Sequence, residues 1–242
     1  MEPREYALRA EDARVAEDER EEAFSGYGVM GLPFAGGHVL GLRRFPASSI
    51  GPGYFSVWHR DPAGLWDFYS DVEAMSSCNR FFGAAVAGFK QTEIRVSWPE
   101  SHTLVVEMPS EEFRWEATLK TTPATRLMNA MGAVMPEPFW KSRLVLGLMG
   151  RVAGPLLGAG KLRLFGTVPN RQQFIANPKR IWVVASSKAS LADEDFGEPG
   201  PLSEQAHLGD FMIPQRGILA IGGGFFEPLD ETRHLTVATR PG

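Results

Sequence analysis

Alternating apolar and polar residues predict that most of this chain forms short β-strands. Residues 113–120 give the cleanest example, because every second side chain is apolar and those between them are polar or charged. Residues 89–98 and 103–108 alternate in a similar way. Three such stretches in succession predict an antiparallel meander.

A β-hairpin is predicted immediately before this meander. Residues 54–60 and 65–72 are rich in aromatic side chains, and the sequence Asp-Pro-Ala-Gly at 61–64 is typical of a turn. A four-residue turn would pair Trp58 with Asp67. Both faces of the hairpin would then carry aromatic residues, which indicates a sheet that is covered on each side.

The helical pattern is confined to residues 122–158. Thr122 followed by Pro123 is typical of a helix start, with an N-cap and a proline in the first turn. Apolar residues then recur at helical spacing until two prolines end the helix. A second helix is predicted from about residue 139 to 157, so the segment forms a helical hairpin.

Strand patterns resume after this hairpin, over residues 162–167, 173–176, 180–186 and 217–221. Roughly nine or ten strands with one helical excursion predict a closed or nearly closed antiparallel barrel. We therefore expect a mainly β (α+β) fold. It would be a single antiparallel β-barrel domain over 25–242, interrupted by the helical hairpin.

Charge is distributed unevenly along the chain. Residues 1–24 hold nine acids and four arginines and predict an acidic surface helix or tail. The predicted loop over 187–216 holds six acids, whereas residues 122–161 hold five bases and one acid. The loop could thus close over the hairpin. We expect the hairpin to cap the barrel or to pack in a homodimer, with contact to a membrane surface as the less favoured alternative.

Length and composition are those of an ordinary globular domain, with 242 residues of which 43% are hydrophobic. A single cysteine, Cys78, excludes an internal disulfide and fits a cytoplasmic location. The net charge of −4 gives no reason to expect a nucleic-acid partner. No apolar run reaches the roughly 18 residues of a membrane-spanning helix. Because the histidines are scattered and no nucleotide motif is present, we expect neither a metal nor a cofactor.

Lys90 has the most informative predicted position. In the strand predicted over 89–98 it shares the apolar side with Ile94, Val96 and Trp98. Burial in an apolar cavity disfavours the charged form of a lysine, lowers its pKa and allows its amine to attack a carbonyl. The alternative is that Lys90 lies at the rim of the barrel and extends to water.

The run Cys-Asn-Arg-Phe-Phe-Gly at 78–83, followed by Gly-Phe-Lys at 88–90 and a strand, resembles the acetoacetate decarboxylase-like superfamily. The similar part spans roughly residues 54–195. This resemblance implies a cone-shaped antiparallel barrel and, in the decarboxylase members, a Schiff base between a lysine and a β-keto acid. Lys90 would take the position of that lysine, and Arg80 would be the arginine of the segment that leads into it.

The sequence departs from this family at two positions. No proline precedes Lys90, and Gln91 stands where the family has a second lysine whose charge lowers the pKa of the first. Without that neighbour, only burial would lower the pKa of Lys90. The implied reaction is that of a cofactor-independent lyase, resembling a decarboxylase, a dehydratase or an aldolase. Whether the chain catalyses it stays open at this point.

The chain is predicted to bind a small, largely hydrophobic molecule that bears a carbonyl or carboxylate. His59 is a candidate acid–base group in the barrel mouth, while a histidine in an aromatic strand is more typical of a hydrogen-bonded core or rim residue. The alternative function is a lipocalin-like barrel that binds a lipophilic ligand without covalent chemistry. The residues predicted to contact the ligand are large and apolar: Trp58, Trp66, Tyr69, Trp98, Trp115, Phe139, Trp140 and Met149.

Overall fold

The computed structural model describes residues 2–15, 18 and 20–235 of the chain. In this part the fold is mainly β, with four α-helices. The helices are α1 (Pro3–Ala10), α2 (Asn79–Phe82), α3 (Pro123–Val134) and α4 (Arg143–Leu157), with short 3₁₀ turns at Ala74–Ser76, Gly83–Ala85, Pro109–Glu111 and Glu137–Lys141. None of the described helices is both long enough and apolar enough to cross a membrane.

The described residues form fifteen β-strands, thirteen of which belong to one large sheet. The strands are β1 (Glu22–Val29), β2 (Leu32–Pro33), β3 (Val39–Ser48), β4 (Tyr54–Arg60), β5 (Trp66–Ser70), β6 (Gly88–Gln91), β7 (Arg95–Glu100), β8 (Thr103–Met108), β9 (Phe113–Lys120), β10 (Phe165–Thr167), β11 (Gln173–Leu191), β12 (Glu194–Asp195), β13 (His207–Leu208), β14 (Phe211–Met212) and β15 (Ile218–Phe226). The strand order in the sheet is β6-β5-β4-β3-β1-β15-β11-β9-β8-β7. Strands β2, β10 and β12 pair at its margins, and β13 and β14 pair with each other.

The sheet curls into a half-barrel because its two edge strands are neighbours in the chain. β6 and β7 lie at opposite ends of the strand order, yet only residues 92–94 join them, and so short a linker spans roughly 14 Å at most. The predicted closed barrel is nevertheless wrong. Among the described residues β6 pairs only with β5 and β7 only with β8, so the ring of hydrogen bonds stays open.

The pairing of β5 with β6 is parallel, which differs from the predicted all-antiparallel order. Residues 71–87, which include α2, return the chain to the start of β5 before β6 begins. The strand predicted over 89–98 is therefore divided at 92–94, and its two parts lie at opposite edges of the sheet. The antiparallel meander of β7, β8 and β9 is confirmed, and β9 alternates between buried and more exposed residues as predicted.

The predicted hairpin of β4 and β5 is present with a register one residue away from the expected one. Trp58 pairs with Phe68, because residues 61–65 form a five-residue loop. The Asp61 carboxylate accepts a hydrogen bond from the Leu65 amide at 2.8 Å and closes this loop. The shift places the rings of Trp58 and Phe68 in a stack with their centroids 4.5 Å apart.

The predicted helical hairpin is present as α3 and α4. The Thr122 hydroxyl caps α3 by accepting a hydrogen bond from the Thr125 amide at 3.2 Å. α4 begins later than predicted, because a 3₁₀ turn occupies the first residues after the prolines. Gly154 allows α4 to pack closely on the following backbone, since a Cβ atom there would lie 2.1 Å from the carbonyl oxygen of Gly160.

The two acidic segments contain regular structure. The segment 1–24 divides into α1, whose Ala7 is fully buried, and the first residues of β1. Residues 1, 16, 17 and 19 of this segment, like 236–242 of the predicted domain, lie outside the described residues. The predicted loop over 187–216 contains the end of β11 and all of β12, β13 and β14.

Apolar side chains are buried on both faces of the sheet, and β3 shows the division. Leu40 and Leu42 point into a cluster around Trp115, which we call the Trp115 cluster. Val39 points into a second cluster around Trp58, which we call the Trp58 cluster. The Trp58 cluster is rich in aromatic rings and contains the candidate site.

Candidate functional site

A cavity of about 90 Å³ lies inside the Trp58 cluster. Strands from the middle of the sheet form its wall together with α2 and β14. The wall is mainly aromatic and includes Phe24, Trp58, Phe81, Phe174, Phe211 and Phe226. Arg43, Tyr54 and Cys78 contribute polar atoms to this otherwise apolar wall.

Glycines on β15 leave part of the cavity wall without side chains. Gly222 is required there, because a Cβ atom would lie 2.1 Å from the carbonyl oxygen of Asn177 on the neighbouring strand. At Gly224 a Cβ atom would meet no atom closer than 3.8 Å. The bare backbone of Gly224 thus borders open space beside the ring of Phe226.

The short helix α2 supplies two rings to the cavity. Phe81 stacks on Phe226 with ring centroids 3.9 Å apart, and the Phe82 ring lies 4.7 Å from that of Trp58. Both phenylalanines are almost fully buried. The run at 78–83 therefore reaches the cavity through both of its phenylalanines and through Cys78.

Arg43 is the charged group of this cavity. Its side chain is buried, and its guanidinium carbon lies 4.2 Å from the centroid of the Trp58 ring. Nη1 donates to the carbonyl oxygens of Val29 at 2.7 Å and Leu42 at 2.8 Å, and Nη2 donates to that of Met30 at 3.1 Å. A guanidinium has five N–H donors. Among the described residues, Nε–H and one hydrogen of Nη2 therefore have no acceptor.

No described carboxylate forms an ion pair with Arg43, whereas the adjacent arginine is paired. Arg44 points to the other face of the sheet and donates to Glu11 at 2.6 and 3.0 Å. Burial lowers the pKa of Arg43 to about 10, so the guanidinium is still protonated at neutral pH. The cavity therefore holds a positive charge that the described part of the chain does not neutralise.

The neighbours of Arg43 are uncharged at neutral pH. The Tyr54 hydroxyl lies 3.4 Å from the Cys78 sulfur, within hydrogen-bonding distance. Burial raises the pKa of Tyr54 well above its ordinary value, and burial likewise raises the pKa of the Cys78 thiol. Because the thiol stays protonated, Cys78 is a poor nucleophile here.

Lys90 lies outside the cavity. Its side chain is 58% exposed, and Nζ donates to the Glu111 carboxylate at 2.9 Å. Phe89 packs against the Trp58 cluster, and Lys90 lies on the opposite face of β6 beside Tyr69, where the position of β6 at the edge of the sheet leaves the lysine exposed. The predicted apolar surroundings of Lys90 are therefore not found.

Arg80 forms a largely buried ion pair. Its Nε donates to the Glu22 carboxylate at 3.2 Å, and its Nη2 contacts the same carboxylate. Glu22 also accepts hydrogen bonds from the Leu229 amide and the Gln172 side chain, each at 3.2 Å. Arg80 thereby joins α2 to β1 and to the C-terminal segment, and it does not contact Lys90.

His59 belongs to a separate buried cluster on the opposite face of β4 from Trp58. His59 Nε2 lies 3.0 Å from Nδ1 of His38, whose Nε2 lies 3.2 Å from the Glu194 carboxylate. The ring of Phe196 stacks on His38 at 4.0 Å. Burial, with a smaller contribution from His38, lowers the pKa of His59 to about 4. His59 is thus neutral at pH 7.

Of the residues predicted to contact a ligand, Trp58 lines the aromatic cavity. Trp66 belongs to the same cluster but packs behind Phe68, with their rings 6.4 Å apart. The others belong to the Trp115 cluster (Tyr69, Trp98, Trp115) or to the helical hairpin (Phe139, Trp140, Met149). The structure therefore does not bring these eight residues together.

Sequence reasoning missed Arg43, the charged residue of the cavity. A signal was present, because alternation in β3 places Arg43 on the same side as Val39 and Phe45. A charged residue at an apolar phase of a strand needs a partner or a function. The adjacent Arg44 obscured this signal, since two arginines in succession always place one on each face.

The described residues contain no group of three or more His, Cys, Asp or Glu side chains placed to hold a metal ion. Comparison of the chain with protein-family models, with curated proteins and with solved structures finds no match. The arguments for a function therefore come from the geometry of the cavity.

Proposed function

We propose that this protein binds, without covalent chemistry, a small apolar molecule that carries a carboxylate or a similar anionic group. The apolar part would occupy the aromatic cavity and the anion would contact Arg43. The observation that carries this proposal is the buried, protonated guanidinium that has two remaining donors and no described carboxylate partner. A carboxylate accepts two parallel hydrogen bonds from one guanidinium.

The energetics of burial support an anionic ligand. An isolated buried charge is costly, and carbonyl dipoles and an aromatic face compensate it only in part. An anion beside Arg43 would neutralise the charge in a mainly aromatic wall, where electrostatic attraction is stronger than in water. A neutral ligand of the same shape would leave the two donors without acceptors.

The size of the cavity favours a slender ligand. Its volume of about 90 Å³ is smaller than the roughly 150 Å³ of an engineered apolar cavity that accepts benzene. A second cavity of about 80 Å³ shares Met30, Ala176 and Phe211 with the first. An alkyl chain that passes from one cavity into the other would suit this space, so octanoate is a suitable probe.

The positions of the potential nucleophiles favour binding over decarboxylation. Lys90, which the resemblance would make the Schiff-base residue, is exposed and paired with Glu111. Cys78 lies at the cavity, but burial keeps its thiol protonated. The lipocalin-like alternative, reversible binding of a lipophilic molecule, is thus the better supported of the two expectations.

A crystal structure of the protein with octanoate tests the proposal. We expect the alkyl chain in the aromatic cavity and the carboxylate oxygens within hydrogen-bonding distance of Nε and Nη2 of Arg43. A structure in which octanoate occupies another site, or places its carboxylate away from Arg43, would refute the proposed function.

A further inference from the structure

The helices α3 and α4 both expose large apolar side chains to solvent. Val134 is 80% exposed and Leu144 is 84% exposed, which is unusual for apolar residues in regular helices. The exposed residues recur at spacings of three or four, so each helix carries them as a stripe. They are Leu127, Met131 and Val134 on α3, and Leu144, Leu148, Val152 and Leu156 on α4.

These stripes are additional to the faces that pack on the sheet. The inner face of α3 holds Asn129, whose side chain donates to the Ile181 carbonyl at 2.9 Å and accepts from the Ile181 amide at 2.8 Å. The inner face of α4 buries Leu146, Ala153 and Leu157. Each helix therefore has one face that packs on the sheet and a separate apolar stripe that no described residue covers.

The charges around the exposed stripes are positive. Neither α3 nor α4 contains an acidic residue. The acid between them, Glu137, forms an ion pair with Lys179 at 2.6 Å, and Lys141 pairs with Glu21 at 2.6 Å. Arg126 and Arg151 are exposed and take part in none of the ion pairs of the described residues.

We propose that the α3–α4 hairpin docks on an anionic lipid surface. Apolar stripes flanked by arginines, with no acidic residue on either helix, are typical of helices that lie in the headgroup region of a membrane. A second copy of the chain fits this face less well, because a two-fold contact would bring the same arginines together with no acid on either helix to offset them. Docking of this kind needs no membrane-spanning helix.

The hairpin also covers a small apolar cavity. The cavity of about 80 Å³ beneath it is lined by Met128, Ala153 and Leu157, and it shares Met30 with the aromatic cavity. Docking would thus place the lipid surface on the outer side of the helices that cover this apolar space. The docking itself does not depend on whether the aromatic cavity binds a ligand.

Vesicle flotation with the full chain tests the proposal. We expect binding to vesicles of phosphatidylcholine with phosphatidylglycerol, weaker binding at high salt, and little binding to phosphatidylcholine alone. The double variant Leu144→Glu, Leu148→Glu should weaken binding about tenfold or more, because two carboxylates replace side chains that enter the lipid. The matched control is Leu65→Glu, which adds a carboxylate at an exposed leucine of the β4–β5 loop and should leave binding unchanged.

Circular dichroism and light scattering complete the test. The double variant should keep the wild-type spectrum and the wild-type mass, because both leucines are exposed. Failure of the folded wild-type protein to bind anionic vesicles would overturn the proposal, as would equal loss of binding in Leu65→Glu. The proposal would also be overturned if the wild-type protein formed a dimer, the double variant were a monomer, and the wild-type protein did not bind the vesicles.

Discussion

The guanidinium carbon of Arg43 lies 4.2 Å from the centroid of the Trp58 ring, inside the aromatic cavity. This contact explains how a cation can be buried there, because the face of an indole ring attracts positive charge. It also fixes the orientation of the guanidinium, whose remaining donors are then available to a ligand. The pair therefore joins the apolar part of the site to its charged part.

A side chain added to the cavity wall at Gly224 should weaken ligand binding without unfolding the protein. Gly224→Val would place a side chain beside Phe226, where the nearest backbone oxygen to the new Cβ atom is 3.8 Å away. We expect octanoate binding, measured by calorimetry, to weaken about tenfold or more. Gly200→Val adds the same group near Ala35, away from the cavity, and should bind octanoate normally. Normal binding by Gly224→Val would show that octanoate does not use this cavity.

Arg80 should matter for stability and not for binding. Arg80→Met leaves the buried Glu22 carboxylate without its cation, and we expect the free energy of unfolding to fall by roughly 3 kcal/mol. Urea denaturation of this variant, of Glu22→Gln and of the double variant measures the effect. The double variant should be less destabilised than the sum of the two single variants. A fully stable Arg80→Met variant that fails to bind octanoate would instead place Arg80 in the site.

Lys90 should be dispensable for ligand binding. Its own side chain is exposed, but Lys90→Ala leaves the largely buried Glu111 carboxylate without its cation and should lower the free energy of unfolding by roughly 1–3 kcal/mol. Octanoate affinity should be unchanged, since Lys90 does not line the cavity. Treatment of the wild-type protein with acetoacetate and borohydride should give no mass adduct on Lys90. Such an adduct would restore the Schiff-base chemistry implied by the family resemblance.

Stability should decrease in mild acid because of His59. Its pKa is about 4 in the folded protein and about 6.5 in an unfolded chain, so the unfolded state binds more protons between these values. Folding stability attributable to His59 is therefore complete above about pH 6.5 and falls as the pH drops towards 4. The loss amounts to at most about 3 kcal/mol.

The variant His59→Phe isolates this contribution. Phenylalanine keeps a ring for stacking on Phe196 but cannot titrate, so the difference in pH dependence between the two proteins reports on His59. His38, Asp61 and Glu194 surround His59 and remain in both proteins. Urea denaturation at a series of pH values should give a shallower acid decline for the variant. Identical declines would contradict the lowered pKa.

Elements that depend on neighbouring residues alone, such as β9 and the start of α3, follow from the sequence. Residues 113–120 alternate and form β9, and the threonine cap and proline before α3 mark its first residue. The sequence predicts the turn around residues 61–64 but not the register of β4 and β5. The Asp61 side chain accepts a hydrogen bond from the Leu65 amide, and the loop is one residue longer than predicted. A one-residue change of register gives every side chain a different cross-strand partner, so that Trp58 lies beside Phe68 and not beside Asp67.

Long-range pairing could not be predicted in the same way. Nothing local in residues 89–98 reveals that the chain crosses from one edge of the sheet to the other at 92–94. Alternation places Lys90 on the same face as Ile94 and Trp98, but that crossing leaves β6 at the edge of the sheet, where Lys90 is exposed. Arg43 is identified as a site residue only when its face of β3 is known and no described acid is found beside it.

The most direct test of the proposed function compares two ligands on three proteins by calorimetry. Octanoate should bind the wild-type protein and Arg44→Met with the same affinity, because Arg44 faces away from the cavity and pairs with Glu11. Octanol should likewise bind these two proteins with equal affinity. Arg43→Met, with its fold checked by circular dichroism, should weaken octanoate binding about tenfold to a hundredfold and octanol binding much less, since only the carboxylate forms charge-assisted hydrogen bonds. Equal weakening of both ligands, or unchanged octanoate binding in Arg43→Met, would contradict the assignment of Arg43 as the anion-binding group.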